Sequence, residues 1–96
     1  MDQRITGSPV AYPHGVEFRV DSHPHVQCHI LPETLAFLRD RFANGLTGSF
    51  IKLFHQLREQ ILRLATFKLA SGRLEPNGWL CLRIEDAIQL FDRHSE

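Results

Sequence analysis

The 96-residue chain is long enough for one hydrophobic core but too short for a core with a separate catalytic lobe. Eleven basic residues balance eleven acidic ones, so the chain lacks the strong positive charge of most nucleic-acid-binding proteins. No apolar run approaches the roughly 18 residues of a membrane span, and the N-terminus lacks the apolar segment of a signal peptide. Since the two cysteines form no CxxC pair, we expect a soluble cytoplasmic protein with reduced thiols and no membrane partner.

The first third of the chain is predicted to be a loose lead-in followed by a β-hairpin. Residues 1–15 contain two glycines and two prolines. They show little periodicity apart from a short extended piece at 10–12. Apolar and polar residues then alternate over 16–20 and again over 26–30, which is the pattern of half-buried strands. The turn-like residues between them predict an antiparallel hairpin with one face on the core.

A first helix is predicted to begin at Pro32, where the missing N–H costs nothing because the first turn leaves its amides unpaired. Glu33 adds a negative charge near the positive end of the helix dipole. The dipeptide Asn44-Gly45 is a left-handed C-cap signal and predicts the end of this helix.

One long helix over residues 46–69 is the clearest element of the sequence, with Thr47 or Ser49 as its N-cap and Gly72 just after its end. A core-facing stripe repeats at helical spacing. Its members are Phe50, Leu53, Phe54, Leu57, Ile61, Leu64 and Ala65. A second, partial apolar stripe consists of Ile51, Leu62, Phe67 and Leu69. Because two stripes exceed what one partner surface buries, we expect a homodimer interface on the second stripe.

The C-terminal part is predicted to hold a turn at 75–78, a third strand over 79–84 and a short helix over 86–91 that docks through Ile88 and Phe91. Residues 16–91 should form a single domain, followed by a tail at 92–96. The predicted fold class is α+β, in which a small antiparallel sheet, the hairpin plus the third strand, packs on one long helix and one shorter helix.

Segments over residues 15–87 carry a recognisable pattern. VEFRV leads into VQCHI, LPETLAFL opens the first helix, and LCLRIEDA closes the stretch. The segment FIKLFHQLREQILRLA places Phe54, Arg58, Ile61 and Ala65 at a defined spacing. This pattern resembles a bacterial domain-of-unknown-function family, the one numbered 1488, although that family often ends in Asp-Phe where this chain has Asp86-Ala87. The resemblance implies a small α+β domain and no activity, because the family has no established active site.

The histidines of the predicted hairpin are the candidate metal ligands. His23, His25 and His29 lie close to Asp21 in the sequence, and imidazole suits zinc or nickel. Their spacing matches neither an HxxxH pair on a helix nor a paired CxxC motif. We therefore prefer exposed hairpin histidines to a metal site, and we expect no cofactor.

Residues 39–73 carry seven basic side chains against two acidic ones. Arg58, Arg63 and Arg73 are the candidates for weak anion or nucleic-acid binding, although a solvated helix face explains the same pattern. Nucleophilic catalysis has no motif, since GxSxG is missing and Cys28 and His29, adjacent on a strand, point to opposite faces. The sequence predicts a non-enzymatic interaction or regulatory module. Its expected partner is a second copy, with an unknown protein as an alternative and nucleic acid not expected.

Overall fold

The structure is a computed structural model that describes residues 4–21, 25–44 and 47–92. These residues form a two-layer α+β domain with a four-stranded sheet in the order β1-β2-β3-β4, which confirms the predicted fold class. The elements, in chain order, are β1 (Arg4–Tyr12), β2 (Gly15–Asp21), β3 (Val26–Ile30), α1 (Pro32–Phe42), α2 (Phe50–Gln56), α3 (Arg58–Ala70), β4 (Leu80–Leu82) and α4 (Ile84–Phe91).

The predicted hairpin is confirmed as β2 and β3, which pair antiparallel from Val16 opposite Ile30 to Val20 opposite Val26. Alternate side chains of both strands enter the core, and Phe18 packs against Phe54 of α2 with 5.0 Å between the ring centroids. The helices therefore cover the face of the sheet that these apolar residues form.

The prediction of a loose lead-in over residues 1–15 is wrong for Arg4–Tyr12, which forms the edge strand β1. β1 pairs antiparallel with β2, and the register shifts between Thr6 and Val10. Gly7, with φ at 72°, and Pro9 lie within this irregularity. An edge strand tolerates both residues, because an unpaired side needs no N–H and a bulge accepts a left-handed glycine.

The third predicted strand is shorter than expected and runs parallel to its neighbour. β4 pairs with β3 through Cys28 opposite Leu80, His29 opposite Cys81 and Ile30 opposite Leu82. The sheet is thus mixed, whereas a purely antiparallel sheet was predicted. A parallel pair requires a long crossover connection, and the segment that contains α1, α2 and α3 supplies it.

The single long helix predicted over residues 46–69 is wrong, because the structure has two helices that meet at Leu57. The backbone there leaves helical geometry, with φ at −104° and ψ at 15°. Leu57 is nonetheless buried, so the apolar stripe continues across the break and periodicity alone does not reveal it. The break allows α2 to pack on β1 and β2 while α3 reaches β4.

Ser49 is the N-cap of α2, as predicted, and its hydroxyl accepts a hydrogen bond from the Lys52 amide at 3.2 Å.

The last helix begins earlier than predicted, and its buried side differs. α4 starts at Ile84, where the Arg83 amide donates to the Asp86 carboxylate at 2.9 Å. Ala87 is buried, whereas Ile88 is 43% exposed, so the prediction that Ile88 docks on the core is wrong. The helix starts two residues earlier than predicted, so that residue 83 is its N-cap and residues 84–86 form its first turn. Ala87 follows this turn and faces the core.

A buried lysine joins α3 to the C-terminal elements. The Lys68 side chain is 6% exposed, and its Nζ donates to the Cys81 carbonyl at 2.6 Å and to Asp86 Oδ2 at 2.8 Å. At the other end of α3, Arg58 Nη2 donates to the Ile5 carbonyl of β1 at 3.1 Å. Ten residues span about 15 Å along a helix, close to the about 14 Å of three interstrand spacings. Helix α3 thus binds a carbonyl group on each edge strand.

We expect Lys68→Met to lower the free energy of unfolding by about 3–5 kcal/mol, because it leaves the buried Asp86 carboxylate without its main partner. Urea denaturation measures the change. The matched control is Arg41→Met, which removes the exposed ion pair with Asp92 and should cost at most about 1 kcal/mol. Equal losses in the two variants would show that the buried pair has no special role.

Candidate functional site

The face of the sheet opposite the helices carries polar and partly exposed side chains. The strand register aligns Val10, Glu17, His29 and Cys81 in one row across all four strands. Val10 is exposed, Glu17 and His29 are half-buried, and Cys81 is buried at the far end of the row. This open face is where a site would be accessible from solvent.

A cavity of about 430 Å³ lies where the row reaches β4. The loop between α3 and β4 forms one side, and the neighbouring strands β3 and β4 form the floor. Its lining residues are His29, Glu75, Pro76, Asn77, Trp79 and Cys81. A volume in this range, with an aromatic wall and a few polar groups, is typical of small-molecule sites.

Backbone hydrogen bonds hold the tryptophan wall of this cavity in place. The Glu75 amide donates to the Trp79 carbonyl at 2.8 Å, and the Gly78 amide donates to the Glu75 carbonyl at 2.8 Å. The Trp79 amide donates to the Asn77 side-chain oxygen at 3.0 Å. Gly78 has φ at 87°, a conformation that a glycine adopts without strain. The loop is therefore preorganised by its own turn.

The His29 ring at the cavity floor is fixed on its other side. Its Nε2 lies 2.8 Å from the His14 carbonyl oxygen. A carbonyl only accepts hydrogen bonds, so Nε2 carries the proton and Nδ1 of the neutral ring is an acceptor. The His14 ring packs edge-on against His29 and stacks on Tyr12, with 5.0 Å between centroids in each pair.

The structure brings together a cysteine and a histidine that the sequence patterns do not pair. Cys81 lies beside His29 in the register of the parallel strands, although 52 positions separate them in the sequence (81 − 29). Burial raises the pKa of the Cys81 thiol, and it raises the pKa of Cys28 from 9.0 to about 12. Both thiols are therefore protonated at neutral pH, and an activated cysteine nucleophile requires the opposite shift.

The predicted histidine ligands are not brought together within the described residues. His23 lies outside them. His25 is exposed, with Nδ1 3.4 Å from Asp21 Oδ1. His25 and His29 are four residues apart along extended chain, a separation of about 13 Å that no single ion spans. The described part of the chain holds no group of three or more His, Cys, Asp or Glu side chains suited to a metal ion.

The three candidate arginines contact different parts of the molecule. Arg58 binds the edge strand β1, as described above. The guanidinium of Arg63 lies 5.4 Å from the ring centroid of Phe91. Arg73 approaches Asp86 at 3.5 Å and donates to the Ser71 hydroxyl at 3.2 Å. Each guanidinium thus has a structural neighbour of its own, which explains these residues without an anion.

Two of the four predicted interface residues meet on the outside of the helical layer. Leu62 and Phe67 line a shallow depression of about 390 Å³ together with Leu90 of α4. Ile51 and Leu69 are half-buried against the core and do not line it. The contribution of Leu90 was missed, because periodicity within one helix does not show which other helix lies beside it.

Comparison of the chain with family models, curated proteins and solved structures finds no match. Within residues 4–21, 25–44 and 47–92, none of the helices has the length and apolar character needed to cross a bilayer. The functional argument therefore depends on the geometry of two surfaces, the open face of the sheet and the outside of the helical layer.

Because the folded chain keeps the Cys28 thiol protonated up to about pH 12, stability should fall as the pH rises above 9. Above that pH the unfolded chain releases a proton that the folded chain retains, so the free energy of unfolding decreases with pH. Cys28→Ala removes this contribution while leaving lysine and tyrosine titration in place. We expect urea denaturation at pH 8 to 11 to give a shallower decline for Cys28→Ala, and parallel curves would contradict the shift.

Proposed function

We propose that this chain is a non-enzymatic interaction module that pairs with a second copy through the outside of its helical layer. The observation that carries the proposal is an apolar surface left partly exposed after folding. We call it the helical strip and define it by residues from three helices. They are Phe42, Leu62, Phe67, Leu90 and Phe91.

Contacts between neighbouring side chains make the helical strip continuous. Phe42 of α1 packs edge-on against Phe91 of α4, with 4.9 Å between the ring centroids. Arg63 of α3 lies over the same Phe91 ring and also lines the depression around Leu62. Phenylalanine and arginine side chains are over-represented in protein–protein interfaces. The strip thus has the composition of a docking surface.

Charge and symmetry support a second copy as the occupant. A two-fold axis places the same patch of both subunits face to face, so one self-complementary apolar strip is sufficient for a dimer. The chain has a formal net charge of zero, which removes long-range repulsion between identical copies.

A binding role agrees better than catalysis with the chemistry of the described residues. The thiol beside His29 is protonated because burial raises its pKa, and the Lys68–Asp86 pair is used within the fold.

Leu62→Glu places a carboxylate within the helical strip. We expect it to raise the dimer dissociation constant by at least about thirtyfold, the effect of losing an interface hot spot. Light scattering coupled to size exclusion measures the mass over a range of concentrations. Gln27→Glu makes the same charge change on the open face of the sheet and should leave the mass unchanged.

Circular dichroism of both variants confirms that they remain folded. A wild-type chain that stays monomeric at millimolar concentration would refute the proposal. A folded Leu62→Glu variant with the wild-type dimer mass would also refute it.

A further inference from the structure

Two of the side chains that line the cavity beside Trp79 can accept hydrogen bonds. Glu75 presents a carboxylate whose Oε2 lies 3.2 Å from Arg83 Nη2. His29 lines the same cavity, and because its Nε2 donates to the His14 carbonyl, Nδ1 is the ring nitrogen left to accept a hydrogen bond. A ligand group that satisfies both acceptors must itself carry N–H or O–H donors.

The remaining walls of the cavity favour a flat group. The indole of Trp79 and the ring of Pro76 form the apolar side, and Cys81 lies at the floor as a protonated, uncharged thiol. An indole face attracts cations through its quadrupole more strongly than other aromatic side chains do. An anion would meet the Glu75 carboxylate instead.

The structure already shows that Glu75 accepts a guanidinium group. Arg83 donates to its Oε2, while the Arg83 side chain remains 48% exposed and can move into solvent. A ligand with the same donor geometry can replace Arg83 or bind beside it. A planar guanidinium presents paired N–H donors that match a carboxylate.

We propose that this cavity binds a planar guanidinium or amidinium group, which stacks on Trp79 and donates hydrogen bonds to Glu75 and His29. The site lies on the open face of the sheet, so it is independent of the helical strip. The ligand is either a free small molecule or an arginine side chain of a peptide.

Three ligands of nearly the same shape test the chemistry directly. Benzamidine is a planar cation with N–H donors, benzamide is its neutral counterpart and benzoate is the anion. Trp79 is the only tryptophan in the chain, so its fluorescence reports binding at the cavity, and calorimetry confirms the affinity. We expect benzamidine to bind about tenfold more tightly than benzamide, because charge-assisted hydrogen bonds are stronger than those between neutral groups. We expect benzoate not to bind.

Two variants separate ligand binding from a structural effect. Glu75→Gln and Arg83→Gln both break the Glu75–Arg83 ion pair. If Glu75 is the ligand acceptor, Glu75→Gln weakens benzamidine binding about tenfold, whereas Arg83→Gln strengthens it because a competing guanidinium is removed. A purely structural role of the pair would shift both affinities in the same direction, which would overturn the proposal.

Two further probes distinguish the sources of the group. Tighter binding of acetylarginine amide than of methylguanidine supports a peptide arginine, and equal affinity supports a free small ligand. Failure of all the cations to change Trp79 fluorescence at millimolar concentration would overturn the proposal. Equal binding of benzamidine, benzamide and benzoate would also overturn it.

Discussion

The ammonium group of Lys68 lies where α3, β4 and α4 meet, and the arrangement of the C-terminal third depends on it. Removing an ammonium and a carboxylate from water costs several kcal/mol for each ion unless close partners compensate. Here the Cys81 carbonyl and the Asp86 carboxylate both lie within hydrogen-bond distance of Nζ. Asp86 also accepts from the Arg83 amide and so caps α4. One buried charge therefore aligns the edge of the sheet, the end of the long helical segment and the start of the last helix.

This arrangement determines which surfaces stay available to partners. Lys68 donates a hydrogen bond to a carbonyl group of edge strand β4, and Arg58 donates one to a carbonyl group of edge strand β1. Pro9 removes a further donor from β1, so pairing of another strand to either edge is disfavoured. The open face with the Trp79 cavity and the helical strip remain, and they lie on opposite sides of the sheet. The two contacts proposed above, a ligand at the cavity and a second copy at the helical strip, would therefore use separate surfaces.

Local patterns predict the parts of this fold that depend on local chemistry. Alternation identified the β2–β3 hairpin, Pro32 marked the start of α1, and Ser49 was named among the caps of the next helix. β1 was missed because Gly7 and Pro9 resemble strand breakers unless the strand lies at an edge with a bulge. Pairs such as Lys68 with Asp86 and His29 with Cys81 join residues distant in sequence. They follow from the parallel crossover, which no local pattern contains.

Native-state hydrogen exchange of wild type and Lys68→Met tests the central role of the buried ammonium most directly. If Lys68 fastens the C-terminal elements, the variant loses protection first and most strongly in the amides of β4 and α4, while the β2–β3 hairpin keeps most of its protection. A loss spread evenly over the whole sheet would contradict this account. Unchanged protection in β4 and α4 would contradict it equally.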